Sequence, residues 1–91
     1  MTTLVDWHLV DGAHVAQALT DAREKLNDAE GEVLLDFSEV RRIDPSGLRA
    51  VEDFVAVAEH KGVKVVLRGV HVGVYKVLKL SRLTSRFSFM N

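Results

Sequence analysis

In Asp44-Pro45-Ser46-Gly47 a carboxylate, a rigid ring, a hydroxyl and a missing side chain follow one another. A hydroxyl so placed can do three kinds of chemistry. As a nucleophile it needs a base within hydrogen-bond reach and donors for an oxyanion. His8, His14, His60 and His71 are available, but nothing in their spacing orders one of them against Ser46, and no G-x-S-x-G elbow surrounds it. As part of a phosphate cradle it needs more glycine than Gly47 alone, and no G-x-x-x-x-G-K is present. As a phosphate acceptor it needs only exposure and a partner enzyme. Beside these stands a plain reading, in which Asp-Pro-Ser-Gly is a turn or helix start with no further role. The histidines lack metal-ligand spacing, so no metal, no cofactor and no catalysis are expected.

The elements that must position this tetrapeptide follow from composition and pattern. With 91 residues, 47% of them hydrophobic, and a single proline, the chain reads as one folded domain, 1–91, without linkers or repeats. No run approaches the ~20 apolar residues of a membrane span, and residues 1–6 lack the basic start of a signal peptide. The lack of cysteine suits a reducing compartment, so a cytoplasmic location is expected. Residues 1–60 carry all 13 acids and five bases, whereas 61–91 carry seven bases and no acid. Such a segment could face nucleic acid, an anionic membrane surface or an acidic protein, or simply be solvated. No aromatic stacking pattern or groove-reading helix accompanies Lys76, Lys79, Arg82 and Arg86, so nucleic-acid binding is not expected.

Leu4 to Val10 alternates, with Val5, Trp7 and Leu9 on one face and Asp6 and His8 on the other, the mark of a half-buried edge strand. Val15, Leu19, Ala22 and Leu26 recur at helical spacing and predict a helix over about 14–27. Val33 to Leu35 is a short apolar run that reads as a strand covered on both sides. A second helix is expected from near Asp44 to Lys61-Gly62, where lysine and then glycine supply the stop. Val63 to Leu67 reads as a central strand. Val74, Val77, Leu78 and Ser81 form a third helical stripe, and Phe87 and Phe89 suggest a closing strand. The order β-α-β-α-β-α-β predicts an α/β fold: a small sandwich with a mostly parallel four-stranded sheet and about three helices.

Within that frame Asp44 is the N-cap, accepting an otherwise unpaired backbone N–H, and Pro45 takes the first helical position. Ser46 then lies in the first turn near solvent, and Gly47 leaves room for another molecule's backbone. A phosphoserine there sits at the positive end of the helix dipole, so the fold should survive it, while a partner lying flat over the helix start should not tolerate the added dianion. The apolar arc of this second helix, with Leu48, Ala50, Val51, Phe54, Val55, Val57 and Ala58, spans about half its circumference. Either the other helices cover it, or Phe54 and Val57 form a partner-facing patch rimmed by Arg42, Arg49 and Asp53.

The run "VLLDFSEVRRIDPSGL" followed by "KGVKVVL" resembles the STAS domain family, the fold of anti-sigma factor antagonists and of accessory domains on anion transporters. It is similar to the family's strand, "D-x-S-x-V" and "D-S-S-G-L". In antagonists of this kind the serine before the glycine is phosphorylated by a partner kinase that is also the anti-sigma factor, which implies Ser46 here. The first serine of "D-S-S-G" is Pro45 in this chain, and Asp11-Gly12-Ala13-His14-Val15 has the glycine of the family's "G-x-L-D" element without its aspartate. A second branch, the small STAS subunit of bacterial ABC systems that move lipids, is similar through "LRGVHVGVYKVLKL" from Leu67 to Leu80; its motif threonine falls at Pro45. The resemblance implies a protein-interaction domain that docks through its Ser46 end; joined to the patch read from the second helix, the expected binding residues are Arg42, Asp44, Pro45, Ser46, Gly47, Arg49, Asp53, Phe54 and Val57. The implied partner is an anti-sigma kinase or, alternatively, an ABC ATPase bound without phosphate control. No oligomeric state is implied.

Overall fold

The computed structural model describes residues 7–28 and 31–90. Its elements are β1 (His8–Leu9), α1 (Val15–Asp28), β2 (Glu32–Asp36), α2 (Pro45–His60), β3 (Lys64–Arg68), α3 (Val72–Leu80), a 3-10 turn (Thr84–Arg86) and β4 (Ser88–Met90). All strands pair in parallel, in the order β1-β2-β3-β4. Each expected helix and strand is present within a few residues of its predicted bounds. Of the predicted first strand, Leu4 to Asp6 lie outside the described residues.

Strand order that follows chain order has a consequence. Parallel crossovers share one hand, so successive units that step in one direction stack their helices on a single face of the sheet. Parallel partners also point their side chains to the same side. Val33 with Val65 and Leu35 with Leu67 therefore share one face. They form a single cluster with Val15, Leu19, Ala22 and Leu26 of α1, Val51, Phe54, Val55 and Ala58 of α2, and Val74 and Leu78 of α3. The opposite face carries Leu9, Leu34, Asp36, Arg68 and Met90. Two expectations are corrected here. β2 is covered by helices on one side rather than two, and Leu9 is 53% exposed, while Val10 is fully buried just past the strand. The inner position expected of β3 is shared with β2. On the open face the Arg68 guanidinium stacks 4.2 Å from the Trp7 ring, bridging across β2.

Local chemistry sets the helix ends. At α2 the Lys61 N–H bonds to Val57 and Ala58, Gly62 N–H to Glu59 O and Val63 N–H to Ala58 O, with Gly62 at φ +70. This left-handed stop is the one that glycine allows at no steric cost. α3 ends the same way, with Arg82 N–H on Lys79 O and Leu83 N–H on Leu78 O, but here Arg82 holds φ 59. An L side chain at this angle costs about 1–2 kcal/mol. Leu83, nearly fully buried beyond it, secures the turn. We predict that Arg82→Gly stabilises the domain by roughly 0.5–1 kcal/mol in urea denaturation, because relief of the strain outweighs the added freedom of the unfolded chain.

Candidate functional site

Each helix runs back from the carboxyl end of its strand, so α1, α2 and α3 all start at one edge of the sheet, reached by the loops that follow β1, β2 and β3. The middle loop, residues 37–44, is held at both sides. A Cβ at Gly12 would lie 1.8 Å from the Glu39 carbonyl oxygen, and one at Gly69, φ +68, would lie 2.9 Å from Ser38 Cβ. Backbone lies against the loop at both places. Asp36 starts the loop by accepting the Ser38 N–H at 2.8 Å and the Arg68 Nε–H at 3.0 Å. Phe37 and Val40 are buried and pin it to the core, and Ser38 O meets His71 Nε2 at 2.9 Å.

The loop delivers Asp44 in extended conformation, φ −90 and ψ 173. Its Oδ1 accepts the Gly47 N–H at 2.7 Å and the Ser46 hydroxyl at 3.0 Å. Pro45 is the first helical residue, as expected. The Gly47 N–H, then the Ser46 hydroxyl, hold the Asp44 carboxyl below its ordinary range. Ser46 is exposed, whereas Gly47 is buried, with room at its α-carbon limited by Ile43, Asp44 and Val15. Because the serine O–H points at Asp44, the oxygen's lone pairs are left to the outside. Asp44 is a weak base, committed to the helix cap, and no histidine hydrogen-bonds Ser46 among the described residues. The arrangement presents a hydroxyl without activating it.

Two open clefts flank Ser46. One, of about 460 Å³, is lined by Gly12, His14 and Gln17 together with Arg42, Asp44 and Ser46. The other, of about 240 Å³, joins Ser46 to Thr20 and Arg23 of α1 and to Arg49 and Asp53 of α2. The predicted Arg42, Asp44, Pro45, Ser46, Arg49 and Asp53 are thus brought together on one exposed surface. Phe54 is not part of it. It is 1% exposed, because α1 packs beside α2 and covers that arc; Val57 is partly buried against the same core. His14, just ahead of α1, and Gln17, Thr20 and Arg23 of α1 were missed. They line the clefts because α1 and α2, as consecutive parallel crossovers, pack side by side, which their own spacing does not announce. Among the described residues no group of histidines and carboxylates could hold a metal, and no helix is long and apolar enough to cross a membrane.

The sequence profile of a family described as "Mlab, STAS domain" matches residues 10–89. The chain belongs to the STAS domain family. Among solved structures it is similar to the protein TM1081 of Thermotoga maritima. The NMR structure of TM1081 aligns with a TM-score of 0.74 at 18% identity, over 98% of this chain and 78% of that one. Its crystal structure, described as that of a proposed anti-sigma factor antagonist, aligns with a TM-score of 0.72 at 18% identity, over 97% and 75%. At that identity the likeness establishes the fold. No curated protein matches the sequence.

Two predictions follow from the loop geometry. Gly12→Ala should cost about 2–4 kcal/mol in equilibrium unfolding, since the methyl group meets backbone that cannot swing aside. Asp36 and Asp44 both lie below their ordinary value near 3.8. For Asp36 the Ser38 side chain is the largest cause, with the Ser38 N–H and Arg68 adding to it. A depressed carboxyl contributes stability that is present above its unfolded value and lost as pH falls through the folded one. The urea midpoint should therefore decline as pH drops below about 4, and Asp36→Asn should flatten that decline.

Proposed function

We propose that this is a non-catalytic, cytoplasmic docking domain of the anti-sigma factor antagonist kind. In this reading the start of α2 receives a kinase-type partner, and phosphorylation of Ser46 controls the contact. The observation that carries the reading is an exposed hydroxyl, oriented by the helix cap, between clefts that offer Arg42 on one side and Arg23 and Arg49 on the other. The partner kinase supplies ATP and the catalytic machinery. The Ser46 oxygen bonds to the transferred phosphorus, ADP leaves, and the hydroxyl proton passes to a base of the kinase.

Once formed, the phosphate has arginines within its neighbourhood and the positive end of the α2 dipole beneath it. It also adds about −1.5 to −2 charge beside Asp44. The domain tolerates the group while a partner lying over the surface must desolvate it. A second reading is favoured by the family description, "Mlab, STAS domain", and by the Leu67–Leu80 segment: a STAS subunit docking on the ATPase of a lipid-transport ABC system without phosphate control.

Incubated with its cognate kinase and ATP, wild-type protein is expected to gain one phosphate by intact mass, and Ser46→Ala none. Ser46→Asp should weaken partner binding about tenfold or more while leaving the melting temperature within a few degrees. Equal partner affinity for the three forms sinks the switch, and stable copurification with an ABC ATPase regardless of residue 46 supports the second reading.

A further inference from the structure

Of the six exposed large hydrophobic side chains among the described residues, Leu9 and Leu80 stand apart and the other four gather in one place. Val72, Tyr75, Phe89 and Met90, with Gly69 and Val70, line one groove of about 320 Å³. It shares no lining residue with the clefts at Ser46. Its wall is pre-formed: the Phe89 ring meets Tyr75 edge-on at 5.3 Å and Phe87 at 6.4 Å.

Two further features say what fits. β4 is the last strand of the sheet, and among the described residues no strand pairs with its outer side. Native edge strands are commonly blunted by shortness, a charge, a proline or a bulge. Ser88-Phe89-Met90 is short, with three residues, but it has no charge, proline or bulge and runs in unbroken register with Val66-Leu67-Arg68, so a brief stretch of backbone remains open to pairing. The rim, in contrast, is charged. Val72, Tyr75, Lys76 and Lys79 follow the i, i+3, i+4, i+7 spacing of one helix face. Both lysines are exposed and ion-paired to nothing among the described residues, and residues 61–91 contain no acid.

We propose that this groove takes an extended, acidic and apolar segment of a partner protein, which pairs with the outer edge of β4 as an added strand. Its apolar side chains lie on Tyr75 and Phe89 and its carboxylates meet Lys76 and Lys79. A second copy of the chain is the poorer occupant, since two-fold pairing would bring this acid-free surface against itself. An anionic membrane is poorer too, because lipid cannot satisfy the backbone groups of the open strand edge.

The test uses a short fluorescein-labelled peptide alternating valine with glutamate, against one alternating valine with lysine. The expected result is saturable anisotropy with the acidic peptide alone and slowed hydrogen exchange at the amides of Phe89 and Met90. Affinity should fall roughly tenfold in the double variant Lys76→Glu/Lys79→Glu and in Val72→Asp, all exposed positions whose fold is checked by circular dichroism. No saturable binding, equal binding of the lysine peptide, or indifference to these variants overturns the proposal. So does cosedimentation with phosphatidylserine-rich vesicles in place of peptide binding, or a concentration-dependent dimer that Val72→Asp dissolves.

Discussion

Two places where backbone lies directly against backbone or β-carbon, Gly12 on Glu39 and Gly69 on Ser38, frame the loop that leads to Ser46. They lie against the loop between β2 and α2 from both sides, so a side chain larger than hydrogen at either glycine would push on it. Asp36 ties the loop's start to Arg68 on β3, and buried Phe37 and Val40 tie its middle to the core. Asp44 then fixes where α2 begins, and with it the position of the Ser46 oxygen. In the proposed reading, phosphorylation of that oxygen would change the charge of the surface while the cap and loop beneath it stay in place.

The sheet order explains why the candidate surface is broad and shallow. In doubly wound folds the strand order reverses, and the crevice at the reversal binds ligands. Here the order never reverses, so the three helices lie on one face, their starts line one edge, and no such crevice opens. What remains are open clefts between neighbouring helix starts. That geometry suits a protein partner spread over α1 and α2 better than a small substrate that must be enclosed.

Much of this was legible in the sequence because the signals were local. The Val15, Leu19, Ala22, Leu26 stripe, the Asp44 cap with Pro45 after it, and the Lys61-Gly62 stop each depend on neighbours within a turn of helix, and each stands as read. The features that could not be read depend on distant chain. A run such as Val33 to Leu35 looks alike whether one face or both are covered, so the single layer of helices was hidden. The apolar arc of α2 named Phe54 without saying which helix would lie on it. His14, Gln17 and Arg23 joined the site only because α1 runs alongside α2, and the left-handed Arg82 stood where the stop pattern favours glycine.

The central claim is that a partner sits on the carboxyl edge of the sheet, over the start of α2. A photo-crosslinking residue placed at Arg49, on that edge, and another at Lys64, at the opposite end of β3, test it in the native cell. The account predicts a discrete adduct with a kinase-type or ATPase-type protein from position 49 and none from position 64. The same adduct from position 64, with position 49 silent, would contradict it.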